Sequence, residues 1–298
     1  MKKILCLLLC ICTFTASYGA GEKYKAVVVT GQNNHNWPVS SVAIQKILEN
    51  SGLFTVDIAT SPTRNEPMDN FNVDFTSYDV VVVDYNGDYW SEKMQKGFVD
   101  YVNNGGGVIF YHAANAAFPQ WEEYNKIAGF GGWGERNEKS GPLIYIEDNK
   151  VVYDQETPGM AGNHGPQHEF VMNMIKKHPI TKGLPSKWMH AKDELYSMMR
   201  GPGKIKSPLY YAHSPKDKHG TDRDELMIFT VNYGKARIFH MTIGHCGRSL
   251  DNNPSMQCTG FQVCLQRGAE WAASGKVTQP VPDDFPTAEK VSYRLNYK

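Results

Sequence analysis

Apolar runs and helical patterns alternate along the first third of the chain. A β-branched run covers Lys25–Thr30, a helical pattern covers Val39–Asn50, and a second strand pattern covers Phe54–Thr60. The segment Asp79–Tyr85 is continuously apolar in its middle, which is typical of a strand that helices cover on both faces. The pattern therefore predicts strands and helices in alternation.

A second unit of the same kind follows. Ser91 is placed to cap a helix that runs through Asn104, glycines 105–107 end that helix, and an apolar strand covers Val108–Ala113. The resulting order β-α-β-β-α-β predicts an α/β fold with a doubly wound, mostly parallel sheet in three α/β/α layers.

The rest of the chain is less regular. Its patterns predict, in chain order, strands at Leu143–Glu147, Glu169–Met174, Leu209–Ala212, Leu226–Val231 and Ala236–Thr242, and a helix at Thr259–Ser274. The turn residues Asn232–Lys235 predict a hairpin between the last two strands. Because the sequence shows no internal repeat, we expect one domain over residues 21–276, followed by an irregular tail over 277–298.

The first twenty residues have the pattern of a secretory signal. Lys2 and Lys3 precede an apolar run, Ile4–Phe14, which is too short to span a bilayer, and small residues follow at positions 17–20. We therefore expect residues 1–20 to be removed and the protein to be exported to the periplasm or the cell exterior. Since no other segment is long and apolar, we expect no membrane insertion afterwards.

The balance of charge narrows the class of ligand, and the cysteine count limits the possible disulfides. Without Lys2 and Lys3 the chain has 29 basic residues (31 minus 2) against 31 acidic ones, so we expect no field that recruits nucleic acid. The expected ligand is a small molecule that is uncharged or only locally charged. Beyond the signal segment only Cys246, Cys258 and Cys264 remain. One disulfide is possible, with Cys246 and Cys258 as the favoured pair, but the chain is not a disulfide scaffold.

Two histidines directly follow predicted sheet strands. His112 ends the strand at 108–113, and His245 follows the strand at 236–242. Ligands of open α/β sheets bind beyond the carboxyl ends of the strands, so these imidazoles indicate a site for acid/base chemistry. For His112 the alternative is a structural role that bridges two loops.

Further candidate residues lie in three polar segments. His35, Asn36 and Trp37 lie between the first strand and the first helix, where an ordinary loop is the alternative. Asp193 and Glu194 are adjacent carboxylates, and an extended segment would direct one into the cleft and the other to solvent. His164 and His168 are four residues apart, but glycine and proline between them weaken this metal-ligand pattern. Glu169 and the two other carboxylates provide oxygen ligands that would complete a site with His35, His112 or His245.

Taken together, these motifs resemble the ThuA-like (trehalose utilisation) family. The resemblance covers about residues 24–274, and the segments that carry it are Thr30-Gly31, His35–Pro38, Phe110–Ala114, the Trp133 region, His178–Ile180, Gly183–Pro185, Asp193–Tyr196 and Tyr233–Phe239 leading to Gly244-His245.

The resemblance implies a flavodoxin-like fold of the class I glutamine amidotransferase type. It also implies that His112 replaces the amidotransferase cysteine, that His245 occupies the place of the base histidine, and that amidotransferase activity is absent. The family context implies carbohydrate catabolism, with disaccharides or oxidised sugars as ligands.

We therefore expect an exported enzyme that acts on a disaccharide or keto-sugar, as a hydrolase, lyase or isomerase. His112 and His245 would share proton transfer, and Asp193 or Glu194 would orient a histidine. The residues expected to hold the sugar are His35, Asn36, Trp37, Asn115, Trp121, Tyr124, Trp133 and Tyr196. No cofactor is fixed by the sequence, and a divalent metal such as zinc is one variant. The competing hypothesis is a non-catalytic sugar-binding protein on the same fold.

Overall fold

The structure is a computed structural model that describes residues 22–247 and 252–295. The signal segment expected at residues 1–20 lies outside the described residues. Within them, the strands are β1 Tyr24–Thr30, β2 Phe54–Thr60, β3 Val80–Val83, β4 Gly107–Tyr111, β5 Leu143–Glu147, β6 Lys150–Asp154, β7 His168–Met174, β8 Lys187–Asp193, β9 Lys204–Ser214, β10 Arg223–Asn232 and β11 Arg237–Met241. The α-helices are α1 Trp37–Asn50, α2 Glu92–Asn103, α3 Glu122–Ala128, α4 Pro254–Gln257 and α5 Thr259–Ser274.

All these strands belong to a single sheet. Its order is β2-β1-β3-β4-β11-β10-β9-β7-β8, and a hairpin of β5 and β6 attaches to β10. The first five strands in this order pair in parallel, whereas the pairs from β11 onward are antiparallel. The predicted α/β class and doubly wound sheet are therefore confirmed, and the predicted hairpin between β10 and β11 is present.

Helices cover both faces of the parallel part. Ile44 of α1 and Leu265 of α5 belong to one apolar core, whereas Phe98 of α2 and Ile127 of α3 belong to the other. All four side chains are fully buried. The valines of β3 divide between the two cores because successive side chains of a strand point to opposite faces. This division explains why β1, β3 and β4 contain unbroken apolar runs.

Two glycines turn the chain sharply at the carboxyl ends of β1 and β11. Gly31 has φ +118° and Gly244 has φ +115°, a backbone conformation that other residues rarely adopt. A Cβ at Gly31 would lie 2.4 Å from the Ser61 nitrogen, and one at Gly244 would lie 2.5 Å from a ring carbon of Phe261. Both turns therefore require glycine, and each leads into a segment that carries a histidine.

Two further expectations concern the thiols and the membrane. Cys246, Cys258 and Cys264 are all buried free thiols, so the disulfide that the cysteine count allowed between Cys246 and Cys258 is not formed. Among the described residues, the helices are all too short or too polar to cross a bilayer.

Candidate functional site

Three imidazoles and one carboxylate gather at the carboxyl ends of the parallel strands. Glu194 Oε2 lies 3.5 Å from His35 Nε2 and 3.6 Å from His112 Nε2, and its other oxygen lies 3.4 Å from His245 Nε2. The His35 ring makes edge contacts with the rings of His112 and His245, at centroid distances of 4.7 and 4.9 Å. Chain segments that are far apart in sequence thus meet around one carboxylate.

His112 is held rigidly at the base of this cluster. It follows β4 with a positive φ of 44°, and its side chain is 1% exposed. Nδ1 lies 2.6 Å from the carbonyl oxygen of Thr242, so Nδ1 carries the hydrogen and Nε2 faces the cluster. The hydroxyl of Tyr196 lies 3.0 Å from Nε2, and the Tyr196 ring stacks on the imidazole at 4.5 Å.

His35 is oriented by a chain of polar groups that reaches into the core. Asn33 Oδ1 accepts a hydrogen bond from the His35 backbone nitrogen at 3.0 Å and lies 3.3 Å from His35 Nδ1. Asn33 Nδ2 donates to Asp84 Oδ1 at 3.0 Å, and the Ser40 hydroxyl donates to Asp84 Oδ2 at 2.6 Å. Burial raises the pKa of Asp84 to about 7, against the opposing hydrogen bonds from Ser40 and Asn33.

The two adjacent carboxylates do not divide between cleft and solvent as the extended pattern suggested. Glu194 faces the cluster, but Asp193 is completely buried beneath it. Asp193 accepts hydrogen bonds from the backbone nitrogens of Gly244 at 2.6 Å and His245 at 3.0 Å, and it lies 2.7 Å from His190 Nε2. The expectation that one carboxylate points to solvent is therefore wrong, because Asp193 ties the segment of His245 to β8.

The ionisation of the cluster follows from its burial and its close charges. Burial lowers the pKa of His35 to about 4 and also lowers the pKa of His245. Burial opposes charge on His112 as well, but the contact with Glu194 and the nearby Asp193 carboxylate raise its pKa. Burial favours the neutral form of Glu194, yet its imidazole contacts hold its pKa far below the usual range.

A cavity of about 290 Å³ opens above the cluster. The residues that line it are Asn34, His35, Asn86, Ala113, Ala116, Trp133, His164, Glu194 and Tyr196. Asn86 Nδ2 donates to Asn34 Oδ1 at 2.9 Å, so two amides lie together at its wall. Sequence reasoning did not single out Asn86, although it follows a predicted strand and the strand-end rule that selected His112 applies to it equally.

The aromatic side chains expected to bind sugar lie in different surroundings. Trp133 lines the cavity and contacts Tyr196 edge-on at 4.6 Å. Tyr124 is completely buried and donates to the Ala114 carbonyl at 2.7 Å, and Trp121 packs against the core of the α2 side. The expectation that Tyr124 stacks on a sugar is wrong, because its ring is fully buried. Trp121 is partly buried and is not among the residues that line the cavity above Glu194, so its role as a sugar ligand stays a prediction.

Other expected ligand residues serve the local fold. Asn115 is completely buried, and its Nδ2 lies 3.3 Å from His240 Nε2, so it is wrong as a sugar ligand. Asn36 is the N-cap residue of α1 and Trp37 is its first residue, and neither is among the residues that line the cavity above Glu194. Residues of the polar segments that follow β1 and β4 therefore also have structural roles, in core packing and at the start of α1.

The expected metal pair does not come together. His164 lies in the cavity wall, 3.9 Å from Glu194 Oε1, whereas His168 begins β7 and its Nδ1 lies 3.0 Å from the Pro166 carbonyl. The irregular segment between them, with a bend at Pro166, sets His164 and His168 against different partners, and neither belongs to the group of potential metal ligands that the described residues bring together. A different set, His35, His112 and Glu194, places three ligand atoms within 4.8 Å of one another.

The fold and the site define a class: an α/β protein with a histidine- and carboxylate-lined cleft at the strand ends of a doubly wound sheet. The sequence model of the ThuA family, described as trehalose utilisation, matches residues 25–272. The chain belongs to this family, as its motifs predicted. No curated protein matches the chain.

Several solved structures are similar. A ThuA-like protein from Parabacteroides merdae is 55% identical, with a TM-score of 0.91 over 93% of this chain and 99% of that chain. A ThuA-like protein from Bacteroides uniformis is 19% identical, with a TM-score of 0.50 over 89% of this chain and 97% of that chain. A glutamine amidotransferase from Thermotoga maritima is 11% identical, with a TM-score of 0.39 over 74% of this chain and 76% of that chain.

Proposed function

We propose that this protein is an enzyme of carbohydrate catabolism that moves a proton on a keto-sugar bound in the cavity above Glu194. The observation that carries the proposal is the gathering of His35, His112 and His245 around one carboxylate, Glu194, which lines a polar cavity together with His35. Imidazoles accept and donate protons near neutral pH, and several of them beside one carboxylate can supply both acid and base. The family's association with trehalose utilisation supports a sugar as the ligand.

The size and lining of the cavity favour a single sugar ring. Its volume of about 290 Å³ lies just below the usual range of ligand cavities, about 300 to about 1,000 Å³. The amides of Asn34 and Asn86 offer donors and acceptors for hydroxyl groups, and Trp133 offers an apolar face. A monosaccharide, or one ring of a disaccharide, therefore fits better than a whole disaccharide.

We assign the role of general base to His245 and the stabilisation of negative charge on the ketone oxygen to the side of the site near His112. The His245 side chain is 20% exposed, against 1% for His112, so it is the more accessible of the two. His245 takes the proton from the carbon next to the ketone. The electron pair of that C–H bond forms the enediolate double bond, and the negative charge develops on the ketone oxygen. Positive charge near His112 stabilises that oxygen. Return of the proton to its original carbon restores the keto-sugar. Isomerisation requires in addition that the neighbouring hydroxyl gives its proton to the former ketone oxygen, so that a carbonyl forms at the neighbouring carbon while His245 returns the proton to the former ketone carbon.

Turnover assays with matched variants test this function. The wild type and the H112A, H245A and H213A variants would be incubated with a panel of sugars and keto-sugars, with ligand binding measured in parallel. His213 is an exposed histidine beside Asp222 and Asp224, so H213A is the control. We expect turnover by the wild type and H213A and a loss of at least about 100-fold in H112A and H245A. Binding of a sugar without turnover by the wild type would instead identify a binding protein.

We also propose that the protein is exported, on the signal pattern of its first twenty residues. The chain would be expressed with and without residues 2–20, and the cell fractions and the mature N-terminus would be analysed. We expect the full chain outside the cytoplasm with residues 1–20 removed, and the shortened chain inside. An uncleaved full chain in the cytoplasm would contradict export.

A further inference from the structure

We propose that His35 Nε2, His112 Nε2 and Glu194 Oε2 bind a divalent transition-metal ion of the zinc type, with a fourth coordination position open to the cavity. The inference deepens the proposed function and rests on the same cavity, because the ion would supply the positive charge that was assigned to the side of His112. It replaces the metal pair that the sequence suggested, His164 and His168.

The two separations from Glu194 Oε2 to the histidine nitrogens are close to the edges of a metal tetrahedron. Zinc binds histidine nitrogen and carboxylate oxygen at about 2.0–2.2 Å, so neighbouring ligand atoms in a tetrahedral site lie about 3.3–3.5 Å apart. Glu194 Oε2 lies 3.5 Å from His35 Nε2 and 3.6 Å from His112 Nε2, and the three atoms lie within 4.8 Å of one another. Small side-chain adjustments would bring all three atoms to bonding distance of one ion.

The hydrogen bonds around His112 leave its Nε2 lone pair directed at the cluster. The Thr242 carbonyl, 2.6 Å from Nδ1, can only accept a hydrogen bond, so Nδ1 must carry the hydrogen. In the neutral ring Nε2 is then the acceptor. A backbone carbonyl that fixes the tautomer of a histidine in this way is typical of metal ligands.

His35 has the same tautomer for an independent reason. Asn33 Oδ1 accepts from the His35 backbone N–H, and Asn33 Nδ2 donates to the Asp84 carboxylate, so the amide orientation is fixed from both sides. His35 Nδ1 therefore donates to Asn33 Oδ1, and in the neutral ring Nε2 presents a lone pair to Glu194. Two lone pairs and a carboxylate oxygen converge, an arrangement that a cation stabilises.

The surroundings of Glu194 complete this arrangement. Its second oxygen, Oε1, contacts His245 Nε2 at 3.4 Å and so remains available to orient a group outside the ligand set. Catalytic zinc sites have three protein ligands and one open position, and here the cavity lies above the three ligands. The proposed base, His245, is therefore next to the ion without being one of its ligands.

The Tyr196 hydroxyl would compete with a metal ion for His112 Nε2. It lies 3.0 Å from His112 Nε2, so in the neutral ring without an ion it can donate to the lone pair that the ion would use. Tyr196 is thus a competitor for that lone pair and not a ligand in this assignment. Replacing it by phenylalanine removes the competitor and leaves the three ligands in place.

The test uses the full chain, expressed without a histidine tag and treated with a chelator before titration with Zn²⁺ alone. We expect one ion per chain in elemental analysis and calorimetry, with affinity reduced at least about 100-fold in H35A and E194Q. Co²⁺ titration should give the visible absorption of a tetrahedral site in the wild type and not in E194Q. Circular dichroism and thermal melting without metal show whether each variant is folded.

Two controls separate this site from adventitious binding. H213A removes the exposed cluster of His213 with Asp222 and Asp224, and we expect it to bind Zn²⁺ like the wild type. Y196F should bind equally or more tightly. Any one of four results would overturn the inference. These are no Zn²⁺ binding by the wild type, loss of binding in H213A, weaker binding in Y196F, and unchanged binding in folded E194Q.

Failure of the metal site and failure of the proposed function give different results. Turnover by fully metal-free protein would refute the role of the ion and leave proton transfer by the imidazoles intact. A bound ion in a protein that turns over no sugar would support the metal site and refute the enzyme.

Discussion

At the scale of single residues, His240 differs from the histidines of the site because it is buried in the core. His240 is completely buried between Phe110 and Phe229, its Nδ1 lies 2.7 Å from the Ala128 carbonyl, and its Nε2 faces the Asn115 amide. Burial lowers its pKa to about 3, so the folded protein holds it neutral. His240 therefore links folding stability to pH without taking part in the site.

The variant H240F tests this linkage. The folded-state pKa lies below the unfolded value of 6.5, so the stability that His240 contributes is present above pH 6.5 and is lost as the pH falls towards about 3. We expect H240F to be less stable than the wild type at pH 7, and the difference in unfolding free energy to shrink by about 1.4 kcal/mol per pH unit between about pH 6 and pH 4. Urea denaturation at several pH values measures it, and a constant difference would contradict a neutral buried His240.

A second prediction at this scale concerns Asp193. Its carboxylate contacts His190 and two backbone nitrogens within the core, and breaking such a buried pair by removing one charge is costly. We expect D193N to lower the free energy of unfolding by about 3 kcal/mol, measured by urea denaturation. The exposed Asp217 is the control, since D217N should change stability by less than about 0.5 kcal/mol. Equal effects of the two variants would contradict the structural role of Asp193.

Sequence reasoning identified part of the site at this scale. The strand-end rule selected His112 and His245, and the polar segment after β1 contributed His35. Which carboxylate faces the cleft could not be decided, because Asp193 and Glu194 differ only through long-range bonds to Gly244 and His245. Nor can composition distinguish Trp133 at the cavity from the buried Tyr124.

At the scale of elements, strands with a clear apolar pattern were predictable, the edge strand β2 included, whereas β6 and β8 were not. The runs of β1, β3 and β4 are apolar because helices cover both sides of the parallel sheet. Strand β8 was missed because it carries buried polar residues, His190 and Asp193, and β6 because most of its side chains are partly or fully exposed. Pairing between distant segments, which extends the sheet beyond β10, has no local sequence signal.

The turn between β11 and His245 provides a prediction for an element. A Cβ at Gly244 would lie 2.6 Å from the Tyr111 ring and 2.5 Å from the Phe261 ring, so G244A must displace the turn that carries His245. Gly52 also has positive φ, at +76°, but nothing lies within 4 Å of its added Cβ. We therefore expect G244A to cost about 1–3 kcal/mol more than G52A in thermal or urea denaturation, and to lose turnover that G52A keeps. Equal stability and activity of the two variants would contradict the need for this close packing.

At the scale of the whole molecule, the balance of charges bears on how the substrate arrives. The full chain has 31 basic and 31 acidic residues, so no long-range field distinguishes it. With an uncharged sugar, we expect kcat/KM to change by less than about two-fold between about 0.05 M and about 0.5 M NaCl, in steady-state assays at both salt concentrations. A steep fall with salt would indicate a charged substrate and contradict this view of the ligand.

The central claim is that the imidazoles around Glu194 move a proton on a keto-sugar, and hydrogen exchange with solvent measures that step directly. A keto-sugar would be incubated with the protein in D₂O, and proton NMR would follow the hydrogen on the carbon next to the ketone. We predict exchange for deuterium by the wild type and H213A, reduced at least about 100-fold in H245A. Binding of the sugar without exchange by the wild type, or exchange by H245A at the wild-type rate, would contradict the account.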